Sequence, residues 1–301
     1  MSALASSGWG NACEAEKVQR TFLRKAFGGM PASSTGDVML FESGCTPLLH
    51  AWVSRLVGWY NRVIARPDDD IVKIALKANV EIAFGTLPVA AGVLPANSKC
   101  WSGSFYNMIR VIDPAEAVFV RGLRHVDART IATGLLTKWQ HKTTTLLTSV
   151  QEYQMRAIPD AFTSGMKTFT YGKWFGQGQP AGYLYALNRA QHIRAVAALR
   201  MSFHKLNIET GRHGRRVMRA NRICQCCDAN TTEDELHIFE CTVYAGLRAQ
   251  FNDVISVVPI NDVDAWMRNT MNPIDYRSWQ RLADFLIMAM AVRERTLAAL
   301  P

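Results

Sequence analysis

The chain has 301 residues, 49% apolar and 20% charged, which excludes a disordered or low-complexity polypeptide and leaves length for two domain cores. Its formal net charge of +9 points to a polyanionic partner. No apolar run reaches the roughly 20 residues that a membrane helix needs, and an odd count of seven cysteines, with no leader-like apolar segment, is expected of a reducing intracellular compartment.

In chain order, the apolar spacing predicts helices almost throughout. Residues 14–27 read as an amphipathic helix with Val18, Phe22, Leu23 and Ala26 on one face, ended by Gly28-Gly29 and Pro31. A short helix over 34–41 stops at Gly44, and Thr46-Pro47 opens a third over 48–65, whose Leu48, Leu49, Trp52, Leu56, Trp59, Tyr60 and Val63 form a broad apolar face. Asp68-Asp69-Asp70 could hold magnesium, but aspartates ahead of a helix over 71–84 are better read as a cap for its unpaired amides. Residues 85–98, with Pro88, Gly92 and Pro95, are a loop; helical spacing resumes over 101–112, from Asp113-Pro114 to about 125, and from Asp127 to about 155 in the longest helix.

The stretch 167–175 alternates aromatics with bases and suits either a base-stacking platform or a buried connector. With the linker 176–180 behind it, the boundary between two domains, 1–160 and 161–301, is expected within 157–180. One or two helices follow over 182–206, then Tyr244, Leu247 and Phe251 mark another, and 278–297 closes the chain as an amphipathic helix.

Two features of the second half carry chemistry. Cys224, Cys226, Cys227 and Cys241 crowd into eighteen positions with His237, and Cys224-x2-Cys227 followed by His237-x3-Cys241 offers three thiolates and an imidazole. That soft tetrahedral set suits a structural zinc ion, and because protein fills every position it leaves no place for an activated water. Cys226 is the spare sulfur. Upstream, residues 189–222 hold nine Lys or Arg against the single Glu209, so nearly all the positive excess sits there. Arg212, Arg215, Arg216 and Arg219 recur at i, i+3, i+4 and i+7, although Gly211 and Gly214 weaken a helix. The loop 228–240 carries five carboxylates and no Lys or Arg, so phosphate contact is expected on the basic approach and not on the loop.

The run from Ser202 through Arg212, followed by Arg222, Cys224, Cys227, Glu233 to Cys241, and Tyr244-x2-Leu247-Arg248, resembles the zinc-binding region behind the polymerase domain of non-LTR retrotransposon reverse transcriptases. Residues 16–28, 41–48 and Ser7-Gly8-Trp9-Gly10 look like the helical thumb of the same family and its approach. The resemblance implies an all-α fold, a thumb-like bundle followed by a smaller helical domain with a CCHC zinc loop, gripping RNA ahead of DNA. It places the ligands on Cys224, Cys227, His237 and Cys241, loop-ordering carboxylates on Glu235 and Glu240, and the basic approach on Arg200, His204, Lys205 and Arg212. With charge placement, the expected phosphate contacts are Arg194, Arg200, His204, Lys205, Arg212, Arg215, Arg216, Arg219 and Arg222.

The aromatic-x-Asp-Asp hairpin that holds catalytic magnesium in such polymerases is missing, and no Ser/His/Asp group, phosphate loop or open metal site is visible, so no enzyme is expected. A non-catalytic nucleic-acid-binding protein with protein partners follows. The alternative is a scaffold subunit of a larger assembly such as an organellar ribosome. The resemblance suggests the nucleus; Arg20, Arg24 and Lys25 on an amphipathic N-terminal helix suggest the mitochondrion instead.

Overall fold

The computed structural model describes residues 10–31, 36–85, 95, 100–155, 169–175, 180–211 and 217–300, without the side chains of 10–15, 37, 142–155, 169 and 219. Among them it is all-α: fourteen α-helices, three 3-10 turns and one isolated antiparallel bridge. None of the helices is long and apolar enough to cross a membrane. Contacts divide the chain into one unit of Met1–Gln19 with Thr46–Lys142 and a second of Arg20–Cys45 with Thr143–Pro301. The division therefore falls elsewhere than the expected 157–180, and residues 20–45 group with the C-terminal half.

Helix α1 (Gly10–Ala26) buries Leu23 of its expected apolar face but not the rest of it. Val18 and Phe22 are each 68% exposed, while Glu16 is buried. The reason is capping. Glu16 Oε1 accepts the amide of Leu49 at 2.8 Å and Gln19 Oε1 that of Leu48 at 3.0 Å, so α1 satisfies the orphan amides of α3 (Leu48–Ile64), which Thr46-Pro47 does not.

Helix α3 buries Leu49, Val53, Val57, Tyr60 and Val63, leaving Trp52 and Trp59 at the rim. They pack with α4 (Ile71–Phe84), α5 (Trp101–Ile112), α6 (Pro114–Arg121) and the start of α7 (Ala128–Met155). Asp70 caps α4 through the amides of Val72 and Lys73, and Asp68 pairs with Lys73 and Lys77. These two aspartates thus serve helix ends and neighbouring lysines, and no metal-sized cluster forms around them. Asp113 ends α5 and caps α6, and Asn61 bonds both amide and carbonyl of Val126.

The second unit continues from α1 into α2 (Gly36–Ser43), then α8 (Phe169–Trp174), α9 (Tyr183–Ala186), α10 (Ala190–Arg200), α11 (Asn207–Thr210), α12 (Ala245–Gln250), α13 (Val263–Thr270) and α14 (Tyr276–Ala298). The aromatic stretch is helical, and Tyr171, Trp174 and Phe175 are buried, so these rings are closed to nucleic-acid bases. Gly28 leaves α1 at φ +77°, where a Cβ would sit 2.5 Å from the Ala190 carbonyl oxygen and 2.6 Å from Arg194 Cβ, so only glycine lets α10 approach.

At the centre of this unit Glu42 and Arg200 form a fully buried bidentate pair. Tyr171 donates to Glu42 at 2.9 Å, and Arg200 also donates to the Met271 carbonyl and to Asn272, both at 3.0 Å, with the Phe175 ring 4.3 Å away. Burial alone would make Arg200 less basic, but Glu42 holds its pKa above the ordinary value. Removing one member strands a charge in an apolar interior. Arg200→Met is expected to lower the unfolding free energy by about 3–5 kcal/mol, whereas adding Glu42→Leu to it should cost much less than the sum of the two single losses. Urea unfolding of the four proteins of that cycle measures both quantities.

Candidate metal centre

The site is assembled from two short pieces of backbone. In the first, the Cys224 amide donates to Thr231 O at 2.8 Å and the Glu233 amide to Arg222 O at 2.9 Å, making a two-rung antiparallel hairpin around the Ile223 and Thr232 bridge. Within the turn the Cys226 amide points at Cys224 Sγ, 3.4 Å away, and this bends the chain so that Cys227 faces the same side as Cys224. In the second piece Asp234 accepts the amides of Leu236 and His237 and starts the 3-10 turn His237–Phe239. The Cys241 amide then donates to His237 O at 2.8 Å, one turn on. The H-x3-C spacing therefore sets both side chains toward the hairpin.

One donor atom from each of Cys224, Cys227, His237 and Cys241 lies within 4.8 Å of all the others, and this cluster could hold a metal ion. Bond lengths of about 2.0 Å to nitrogen and 2.3 Å to sulfur at tetrahedral angles separate an imidazole and a thiolate ligand by about 3.5 Å. His237 Nε2 is 3.4 Å from Cys227 Sγ. His237 Nδ1 and the Tyr244 hydroxyl are buried with no hydrogen-bond partner among the described residues. Burial raises the thiols of Cys224 and Cys241 above their ordinary pKa, and also the phenol of Tyr244 beside them. A cation would favour the thiolate forms of Cys224 and Cys241 against that burial, so that binding releases protons.

Around the cluster the acidic loop is less acidic than its sequence. Glu233 is buried and takes both Arg293 nitrogens of α14, at 2.5 and 2.7 Å, together with the Asn207 amide. Glu235 is buried and accepts from Thr170 at 2.9 Å, from Ser202 at 2.7 Å and from His204, 3.0 Å away. Because His204 Nδ1 accepts the Leu206 amide, its proton sits on Nε2, facing Glu235. Glu240 is exposed and contributes only its carbonyl, which with that of Cys241 receives Arg248. Of the two carboxylates expected to order the loop, Glu235 does so with its side chain and Glu240 does not. The anchor the sequence left unmarked is Glu233 with Arg293.

The expected phosphate contacts divide. Arg194 is exposed midway along α10, and Lys205 is 73% exposed and paired with Glu294 at 2.6 Å. Arg200 and Arg222 are 2% and 3% exposed and His204 is equally enclosed, so these three do not reach a polyanion. Arg222 instead donates to the carbonyls of Val217 and Ile208 and ties the hairpin to α11. Arg212, Arg215 and Arg216 lie outside the described residues, as does the side chain of Arg219. Arg189, exposed at the start of α10, joins Arg194 as a second cation with no carboxylate partner among the described residues.

No family model, curated protein or solved structure matches this chain.

Metal affinity should rise with pH, because burial favours the protonated thiols of Cys224 and Cys241 and each must surrender its proton to ligate. Competition against a chromophoric chelator across about pH 6 to 8 should show apparent affinity falling steadily toward acid. His237→Ala and Cys241→Ser should each lose stoichiometric metal by elemental analysis.

Proposed function

We propose that this protein is a non-catalytic nucleic-acid-binding module, RNA preferred to DNA, in which a structural zinc ion braces a basic surface. The observation that carries the reading is an excess of positive charge that the fold does not consume. Residues 189–222 contain nine Lys or Arg against one Glu. Among the described residues Arg200 and Arg222 are buried and Lys205 pairs with Glu294, while Arg189, just before α10, and Arg194, on it, are exposed with no carboxylate partner; a further three arginines crowd the sequence at 212–216. Like charges held together on a surface repel, so such a cluster favours a polyanion that relieves them.

Zinc is the ion that the donor set favours, since three thiolates and an imidazole select a soft or borderline cation with tetrahedral preference. With four protein ligands it would carry no activated water. The sequence resemblance to the region behind the palm of non-LTR reverse transcriptases agrees with this division of labour, a metal clip beside a nucleic-acid grip.

A second reading, a scaffold subunit within a larger assembly, is favoured by one different observation. Val257, Ile260 and Ile274 are 91%, 98% and 102% exposed, apolar side chains that a partner's surface would cover. A fixed set of protein partners that survives nuclease treatment would support this reading over the first.

Fluorescence anisotropy with single-stranded RNA and DNA separates the readings. Binding should weaken steeply with salt, each neutralised phosphate contributing about −0.7 to the log–log slope. Reversing Arg215, Arg216 and Arg219 to Glu should abolish binding while far-UV circular dichroism is unchanged. Arg189→Glu with Arg194→Glu should weaken it and flatten the slope. Binding insensitive to salt would overturn the proposal.

A further inference from the structure

The spare sulfur, Cys226, has a place of its own. Its Sγ lies within 4.8 Å of Cys224 Sγ and of a Glu233 carboxylate oxygen, outside the four-donor set but sharing Cys224 with it. It is half-buried, whereas Cys224 is 4% exposed. One exposed residue, Gln225, separates the two cysteines, and the Cys226 amide is already turned onto the Cys224 sulfur.

We infer that Cys224 and Cys226 form an oxidation site, and that a hydroperoxide converts them to a disulfide that expels the metal ion. The inference rests on the metal reading above.

Geometry selects the pair. A disulfide needs Cα atoms about 4.4–6.8 Å apart. Neighbouring residues across a trans peptide are only about 3.8 Å apart, which disfavours Cys226 with Cys227. Coordination selects it again. Joining two of the three ligand cysteines breaks two metal–sulfur bonds, while joining Cys224 to Cys226 breaks one. Cys226 is also the cluster's one sulfur not engaged by the bound ion.

The reaction balances with peroxide as the named oxidant. Peroxide oxidises one sulfur of the pair to a sulfenic acid, its O–O bond breaking and one oxygen leaving as water. The other sulfur attacks that sulfenic sulfur, the S–S bond forms, and the second oxygen leaves as water. The two sulfurs give up two electrons in all, and the two waters take up the Cys226 proton and one proton from solvent. Cys224 departs from the metal, which keeps three ligands on a hairpin that has lost its fourth and dissociates. A thiol reductant reverses the change.

The test uses the zinc-loaded full chain, treated with increasing hydrogen peroxide. Metal release is read with a chromogenic chelator, and disulfides are mapped by mass spectrometry of unreduced peptides. The expected result is a Cys224–Cys226 disulfide that appears in step with metal release and is reversed by dithiothreitol. Cys226→Ser and Cys226→Ala should retain zinc at peroxide concentrations that empty the parent. Equal release from both variants, or parent disulfides confined to Cys224, Cys227 and Cys241, would overturn the inference. Should either variant fail to fold, the parent map alone decides. If the reduced parent binds no zinc, the metal reading fails by itself, and mapping the peroxide-treated metal-free chain still decides the pairing.

Discussion

Buried carboxylates are the constraint on which the second unit depends. Glu42, Glu233 and Glu235 are each at most 1% exposed, and an ionised carboxylate in such a place is tolerable only if its oxygens are occupied. Each is answered by a group from a distant part of the chain: Arg200 for Glu42, Arg293 for Glu233, and Ser202, His204 and Thr170 for Glu235. These partners fix α2 to α10, the hairpin to α14, and the segment after the hairpin to α8. The apolar packing fills in around them, with Phe285 of α14 stacked on Phe239 at 5.7 Å and edge-on to Phe251 at 5.9 Å.

This arrangement gives the metal cluster a rigid frame on both sides. Glu233 follows the hairpin rung that positions Cys224, and Glu235 precedes the 3-10 turn that positions His237, so each half of the ligand set is held by a buried ion pair or hydrogen bond within a few residues. A metal ion bound there would join two pieces already oriented, and part of the ordering cost is borne by those carboxylates. Three thiolates around a divalent ion leave one net negative charge, and Arg248, directed at the carbonyls of Glu240 and Cys241, is a nearby compensating cation.

How much of this was legible varies with the kind of signal. Helices with local punctuation could be read closely: α4 between Asp70 and Gly85, and α5 ending at Asp113, keep the bounds that their spacing predicts. The four ligands were legible because a loop and a single turn bring them together, with no long-range information needed. What depended on distant partners was not. Glu16 looks like a solvent-facing residue of an amphipathic helix until Leu49 is seen to need an acceptor 33 residues away. Arg200 and Arg222 look like members of a basic patch because a sequence records their charge and not the Glu42 carboxylate or the Ile208 carbonyl that absorbs it. The aromatics of α8 were open between a stacking platform and a buried connector, because alternation with bases describes composition alone; their burial decides for the second.

The removal of Arg200, His204 and Arg222 from the expected surface sharpens the functional argument. An arginine inside the fold contributes to stability, and its loss disrupts any binding by unfolding the unit; an arginine outside it contributes to the field alone. Among the described residues, 189–222 contain both kinds: Arg200 and Arg222 are buried, while Arg189 and Arg194 are exposed. The same helix that spends Arg200 on Glu42 therefore presents Arg194 to solvent one and a half turns earlier, so the internal ion pair fixes the direction in which the free charge points.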